Sequence, residues 1–159
     1  MFTYKNTDHL VFAKLCILYA ILISAAMVDY KLKIIPNYLV LIGLGARTAI
    51  YLLEIFLASD MKQIVVNDLI GFALGFGVFA IVSVITRQAL GFGDAKLFAV
   101  VGLTLGSFGT YSVMFTSVLV SAVISIILLI FKKRGRKDSI PFGPCIYIGY
   151  ILTLLLGSY

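Results

Sequence analysis

Asp29 and Asp94 are two of only seven acidic residues in this chain of 159, and each stands beside a long apolar run. Asp29 closes the run Leu10 to Val28 and is followed by Lys31 and Lys33. Asp94 precedes the run Leu97 to Ile130 and is followed by Lys96. An ionised carboxylate near the hydrocarbon boundary costs roughly a few kcal/mol, which makes intramembrane acids candidates for function. Two carboxyls brought close resist double ionisation, so the pair holds one proton between them, with one member ready as base and the other as acid. Such a pair can activate water and protonate a leaving amine, which is peptide hydrolysis without metal, cofactor or covalent intermediate. The alternative is that each acid merely caps a helix end, the N-terminal position of Asp94 being a favoured one. On spacing and topology alone both readings stay open.

The elements that would position these acids follow from composition. The chain is 62% hydrophobic and 13% charged, against roughly half and a quarter in soluble domains. A domain of this length buries only about 70% of its unfolded surface, too little to hide such a surplus. A soluble domain, a disordered chain and a disulfide-stapled secreted one are excluded. The reading is a single all-α, polytopic membrane domain over residues 1–159. The net charge of +6 is scattered between apolar runs rather than gathered into a basic stripe, so no nucleic-acid partner is expected. Cys16 and Cys145 lie far apart in apolar runs and read as small buried hydrophobes.

A bilayer core needs about 20 apolar residues per helix. Six runs qualify: Leu10 to Val28, Pro36 to Leu57, Asp68 to Thr86, two from Leu97 to Ile130, and Pro141 to the C-terminus. The split in the fourth stretch falls at Gly106-Ser107-Phe108-Gly109. Ser24-Ala25-Ala26 resembles a signal cleavage site, but the run is longer than an ordinary signal core and more membrane sequence follows. The first, third and fifth connections carry Lys31 and Lys33, Arg87 and Lys96, and the dense loop Lys132 to Lys137. Basic loops stay in the cytoplasm, so the expectation is six transmembrane helices with both termini outside. Asp29 and Asp94, 65 positions apart, then meet at the cytoplasmic face. The basic loop Lys132 to Lys137 fixes orientation and touches anionic headgroups, with contact to acidic parts of a partner as the alternative.

Other polar residues read as structural. Arg47 and Glu54, seven apart on one helix face, are too distant for a local ion pair and should meet partners on neighbouring helices or reach the outer surface. Asn67 and Asp68 read as the cap of the third helix. Gly71 with Gly75, and Gly102 with Gly106, have the small-x-x-x-small spacing of close helix packing. His9, the single histidine, sits near the outer end of the first span. No His-Glu-x-x-His run occurs, and no serine site has a histidine partner within a span, which disfavours metallo- and serine-type intramembrane proteases.

Three short motifs occur in order. Asp29 is followed by Lys31, Lys33 and Ile35-Pro36-Asn37; then comes Gly91-Phe92-Gly93-Asp94-Ala95-Lys96; then Pro141-Phe142-Gly143-Pro144. Glycines at 91 and 93 permit close backbone approach, and Pro36 has its φ set for a helix start. In this combination the chain resembles the type IV prepilin peptidases, polytopic aspartic proteases of the Gly-x-Gly-Asp type. The resemblance implies that Asp29 and Asp94 are the catalytic pair, with Gly91, Gly93, Lys96, Pro36, Asn37, Pro141, Gly143 and Pro144 as supporting positions. It implies a pilin-like precursor as substrate, cut at the cytoplasmic membrane face where a short basic leader meets an apolar helix. No cofactor or metal is implied. Lys96 matches the motif lysine; it either holds the loop or the acid pair electrostatically, or snorkels as a positive-inside residue. Long members carry two Cys-x-x-Cys pairs in an N-terminal cytoplasmic segment and also methylate the new N-terminus. This sequence has neither that segment nor those cysteines, and resembles a short, peptidase-only member. The alternatives from other classes are a proton- or ion-coupled transporter and a pilus or secretion assembly subunit. The lipid bilayer is the remaining expected partner, and the sequence is silent on oligomeric state.

Overall fold

The computed structural model describes residues 2–57, 61–86, 91–131 and 141–157. Within them the chain is all-α, with five helices in the order α1 (Phe2–Leu32), α2 (Asn37–Leu57), α3 (Met61–Ile85), α4 (Phe92–Ile130) and α5 (Gly143–Leu155). The basic stretch Lys132 to Lys137 and Arg87 lie outside the described residues.

Each helix boundary near the two acids has a local cause. α1 ends in a left-handed residue, Lys33 at φ 54°, whose N–H donates to the Asp29 carbonyl at 2.8 Å. This closes the last turn in the manner of a helix C-cap. Pro36 cannot continue α1 because it lacks an N–H, and α2 starts at the next residue, with the Leu39 N–H donating to the Pro36 carbonyl at 3.2 Å. α5 carries Pro144 in its first turn, where a missing N–H costs nothing.

The count of six transmembrane helices is corrected. Among the described residues three segments are long and apolar enough to cross a membrane: His9–Leu32, Lys62–Ile85 and Phe92–Ile130. α2 carries Arg47 and Glu54 and is not among them, and α5 has only 13 residues. The stretch expected to give two spans is one 39-residue helical element. The assignment of both termini to the outer side depended on six crossings and falls with that count.

The interior of α4 nevertheless breaks at Gly106, where φ is 70° and ψ is −169°. Only glycine adopts that conformation readily. The break reverses the chain. A Cβ placed on Gly75 would lie 2.5 Å from the Phe98 carbonyl oxygen and 3.2 Å from the Thr110 methyl. Twelve residues of straight helix would separate those two positions by about 18 Å. The limbs before and after Gly106 therefore lie side by side against α3. Gly71 and Gly102 make this possible, since a Cβ on Gly71 would stand 2.5 Å from the Gly102 carbonyl oxygen. The small-x-x-x-small spacing is packing within the chain.

The first limb of α4 is the centre of the molecule. Leu97, Phe98, Val100 and Val101 are fully buried and pack with Leu18 and Leu22 of α1 and Ile146 and Tyr150 of α5. The Tyr150 hydroxyl donates to the Leu15 carbonyl at 2.8 Å, which ties α5 to α1. With α1 and α5 both held against α4, the C-terminal end of α1, the start of α4 and the start of α5 come together.

Candidate active site at the junction of three motifs

Asp29 stands in the last turn of α1 and Asp94 in the first turn of α4; both are buried, at 6% and 7% exposure. Asp94 lies within electrostatic reach of the Asp29 carboxyl. Among the described residues neither carboxylate has a cationic partner in an ion pair. The Asp29 carboxylate instead accepts a hydrogen bond at 2.7 Å from the backbone N–H of Gly143, which lies 114 positions away. That contact joins the first motif to the third.

Glycine is required at 143 by proximity. A Cβ there would stand 2.9 Å from both the Cβ and a carboxylate oxygen of Asp29. Gly93 has the same relation to the first motif, because its Cβ would lie 2.9 Å from the Cβ of Ile35. Gly91 ends the approach to α4, with its carbonyl accepting the Asp94 N–H at 3.0 Å. Lys96, one turn into α4, donates from Nζ to the Asn37 side-chain oxygen at 2.8 Å. This bond ties the second motif to the Pro36-Asn37 corner. The expected site residues therefore converge at the α1 C-terminus, the α2 and α4 N-termini and the start of α5.

Three neighbours received no role from sequence. Phe142 packs its ring against Phe79 and Phe98, with centroids 5.7 Å and 6.4 Å away, and so anchors the segment that carries Gly143. Ile35 is buried against Gly93. Both stood inside the quoted motifs, which was the available signal. Cys145 is buried within the electrostatic reach of both carboxylates, and nothing in its apolar surroundings announced that. A largely apolar cavity of about 410 Å³ opens beside the junction, lined by Asn37, Val40, Leu44, Phe72, Phe76 and Lys96 among others. No group of three or more His, Cys, Asp or Glu side chains able to hold a metal ion occurs among the described residues.

The second polar cluster differs from expectation. Arg47 and Glu54 do pair directly, Nη1 to carboxylate oxygen at 2.9 Å, because two long side chains span two helical turns. Arg47 also pairs with Asp68, and Lys14 with Glu54. Asn67 and Asp68 are not a helix cap, since α3 begins earlier, at Met61. Asp68 accepts from the Tyr51 hydroxyl at 2.7 Å. Asn67 accepts from the backbone N–H and hydroxyl of Ser107 at 3.2 and 2.6 Å, capping the second limb of α4 from another helix.

These features define a multi-pass helical membrane protein with a buried pair of carboxyls where three motifs meet. Residues 16–130 match the model of the type IV leader peptidase family. The chain is 31% identical over 142 residues to the prepilin leader peptidase/N-methyltransferase of Bacillus subtilis, covering 87% of this chain and 54% of that protein. It is 31% identical over 157 residues to the Legionella pneumophila protein of the same name, covering 96% and 52% respectively. A type 4 prepilin-like proteins leader peptide-processing enzyme from Escherichia coli is 32% identical over 97 residues, 60% of this chain and 34% of that one. The chain spans about half the length of the first two relatives. No solved structure matches it significantly. The chain belongs to the type IV leader peptidase family.

Proposed function

We propose that this protein is a membrane aspartic endopeptidase that removes the short basic leader of a pilin-like precursor at the cytoplasmic membrane face. The observation that carries the reading is the meeting of Asp29, Asp94 and Gly143 from three distant motifs, with like-charged carboxyls gathered and no cation set against either among the described residues. Such a pair holds one proton between its members. The ionised carboxyl takes a proton from water as it attacks the scissile carbonyl, and the protonated one donates to the carbonyl oxygen or leaving amine. Base and acid are roles of the pair rather than of either aspartate, because the titration belongs to the pair.

Fixed supports reduce the reorganisation this chemistry needs. The Gly143 N–H orients one oxygen of Asp29, and the Lys96–Asn37 bond holds the corner facing Asp94. The apolar cavity beside Asn37 and Lys96 suits the hydrophobic part of a precursor that reaches the carboxyls from the bilayer. Lys31, Lys33 and Lys96 near the pair favour the cytoplasmic face.

The test is leader cleavage by the purified, detergent-solubilised chain incubated with a leader-bearing precursor. Wild type should release the leader, while Asp29→Asn and Asp94→Asn should each fail to. Normal cleavage by both variants would remove the aspartates from the mechanism.

A further inference from the structure

The charged side chains around Lys14, near the middle of α1, form a chain in which each end has a single ionic partner among the described residues. Lys14, Glu54, Arg47 and Asp68 pair in that order, so charge alternates positive, negative, positive, negative across α1, α2 and α3. Arg47 and Glu54 in the middle are 2% and 3% exposed, and Arg47 also donates to the Leu103 carbonyl at 2.7 Å and stacks over Tyr51. The two ends of the chain, Lys14 and Asp68, line one cavity of about 300 Å³. Asn67 and Thr104 add an amide and a hydroxyl to its wall, and Val11 and Ile64 add apolar surface.

A ligand that gives each end a second ionic partner, beside Glu54 and Arg47, is anionic towards Lys14 and cationic towards Asp68. We infer that this cavity binds a zwitterion carrying an anionic phosphate and a primary ammonium, the chemistry of a phosphoethanolamine headgroup. Its phosphate would meet Lys14 and its ammonium Asp68, closing the alternating chain into a ring. A primary ammonium has N–H donors for the carboxylate of Asp68 and the oxygen of Thr104, whereas a quaternary ammonium has none. The apolar wall suits a glycerol and acyl stem.

The position agrees with a lipid source. Lys14 precedes Asp29 by fifteen residues on α1, which is about 22 Å along the axis. In a hydrocarbon layer about 30 Å thick with Asp29 at one boundary, Lys14 lies past the midplane, and its long side chain reaches towards the other headgroup layer. The site is therefore separate from the aspartate pair and does not depend on the peptidase reading.

The experiment is native mass spectrometry on the delipidated full chain in detergent, titrated with phosphatidylethanolamine, phosphatidylcholine and phosphatidylglycerol. The chain should retain phosphatidylethanolamine at least about tenfold more tightly than either of the others. Lys14→Met should erase that preference and Thr104→Val should reduce it. Should Lys14→Met fail to fold, Ile64→Trp, which narrows the cavity from a half-buried wall position, should erase the preference instead. Asp94→Asn, at the far end, should keep it. Water-soluble glycerophosphoethanolamine provides the second arm. Displacement of the lipid by it supports a site that a free zwitterion can also fill, and failure to displace supports a site for the intact lipid. Equal retention of all three lipids overturns the inference, as does a preference for phosphatidylglycerol or one that survives in both Lys14→Met and Ile64→Trp.

Discussion

Two clusters of buried charge lie at different levels of α1, one near its middle and one in its last turn, and they are built on opposite rules. Around Lys14 the charges alternate in sign, so Glu54, Arg47 and Asp68 each have a partner of opposite sign. Asp29 has no cation in an ion pair among the described residues, and the hydrogen bond to its carboxylate comes from the neutral Gly143 N–H. Alternation satisfies buried charge and fixes helix register, whereas like charge held together keeps a proton poised for transfer. The same helix thus carries a charge-balanced arrangement near its middle and a like-charge one in its last turn. The first limb of α4, which ends at the Gly106 break, joins the two clusters, with Asp94 near its start and Thr104 near its end.

Substitutions can break this contrast. The largest expected effect is on cleavage in Asp29→Asn or Asp94→Asn, a loss of at least about 10²- to 10⁴-fold, with the thermal midpoint in detergent kept or raised because a like-charge contact is relieved. Next is Arg47→Met, which leaves Glu54 and Asp68 without their shared cation and should destabilise the fold by about 3–5 kcal/mol, read as a lowered thermal midpoint. Gly143→Ala follows. Its new methyl would stand 2.9 Å from the Asp29 side chain, and the displaced carboxyl should cost up to about 10²-fold in cleavage rate with little change in melting. The smallest is Lys96→Met, which removes the bond to Asn37 on a partly exposed surface and should slow cleavage no more than about fivefold, with Lys96→Arg restoring most of it. An unchanged rate in Lys96→Met would favour the snorkelling role for this lysine.

Much of the aspartate site was legible because its motifs are short and local. Asp94 and Gly143 stand beside glycines and prolines that punctuate the chain, Asp29 closes an apolar run, and such punctuation is readable in one dimension. The turn at Gly106 was visible for the same reason. The number of crossings was not legible, because an apolar run does not show how much of it becomes a spanning helix: α5 has only 13 residues, and α2 carries Arg47 and Glu54 and is not among the segments able to cross. The network at Lys14 was also hidden. Asn67 and Asp68 looked like a cap because polarity was taken to mark a helix end, yet α3 continues through them since Arg47, Tyr51 and Ser107 supply partners from other helices. Hydropathy sees the cost of a polar side chain in a membrane but not the neighbour that offsets it.

The contrast between the two clusters is tested most directly by measuring cleavage rate per folded molecule and thermal midpoint together for Asp94→Asn and Arg47→Met. The account predicts crossed results: Asp94→Asn loses cleavage and keeps its midpoint, while Arg47→Met loses midpoint and cleaves near the wild-type rate per folded molecule. Wild-type cleavage by Asp94→Asn, or lost cleavage with an unchanged midpoint in Arg47→Met, would contradict it.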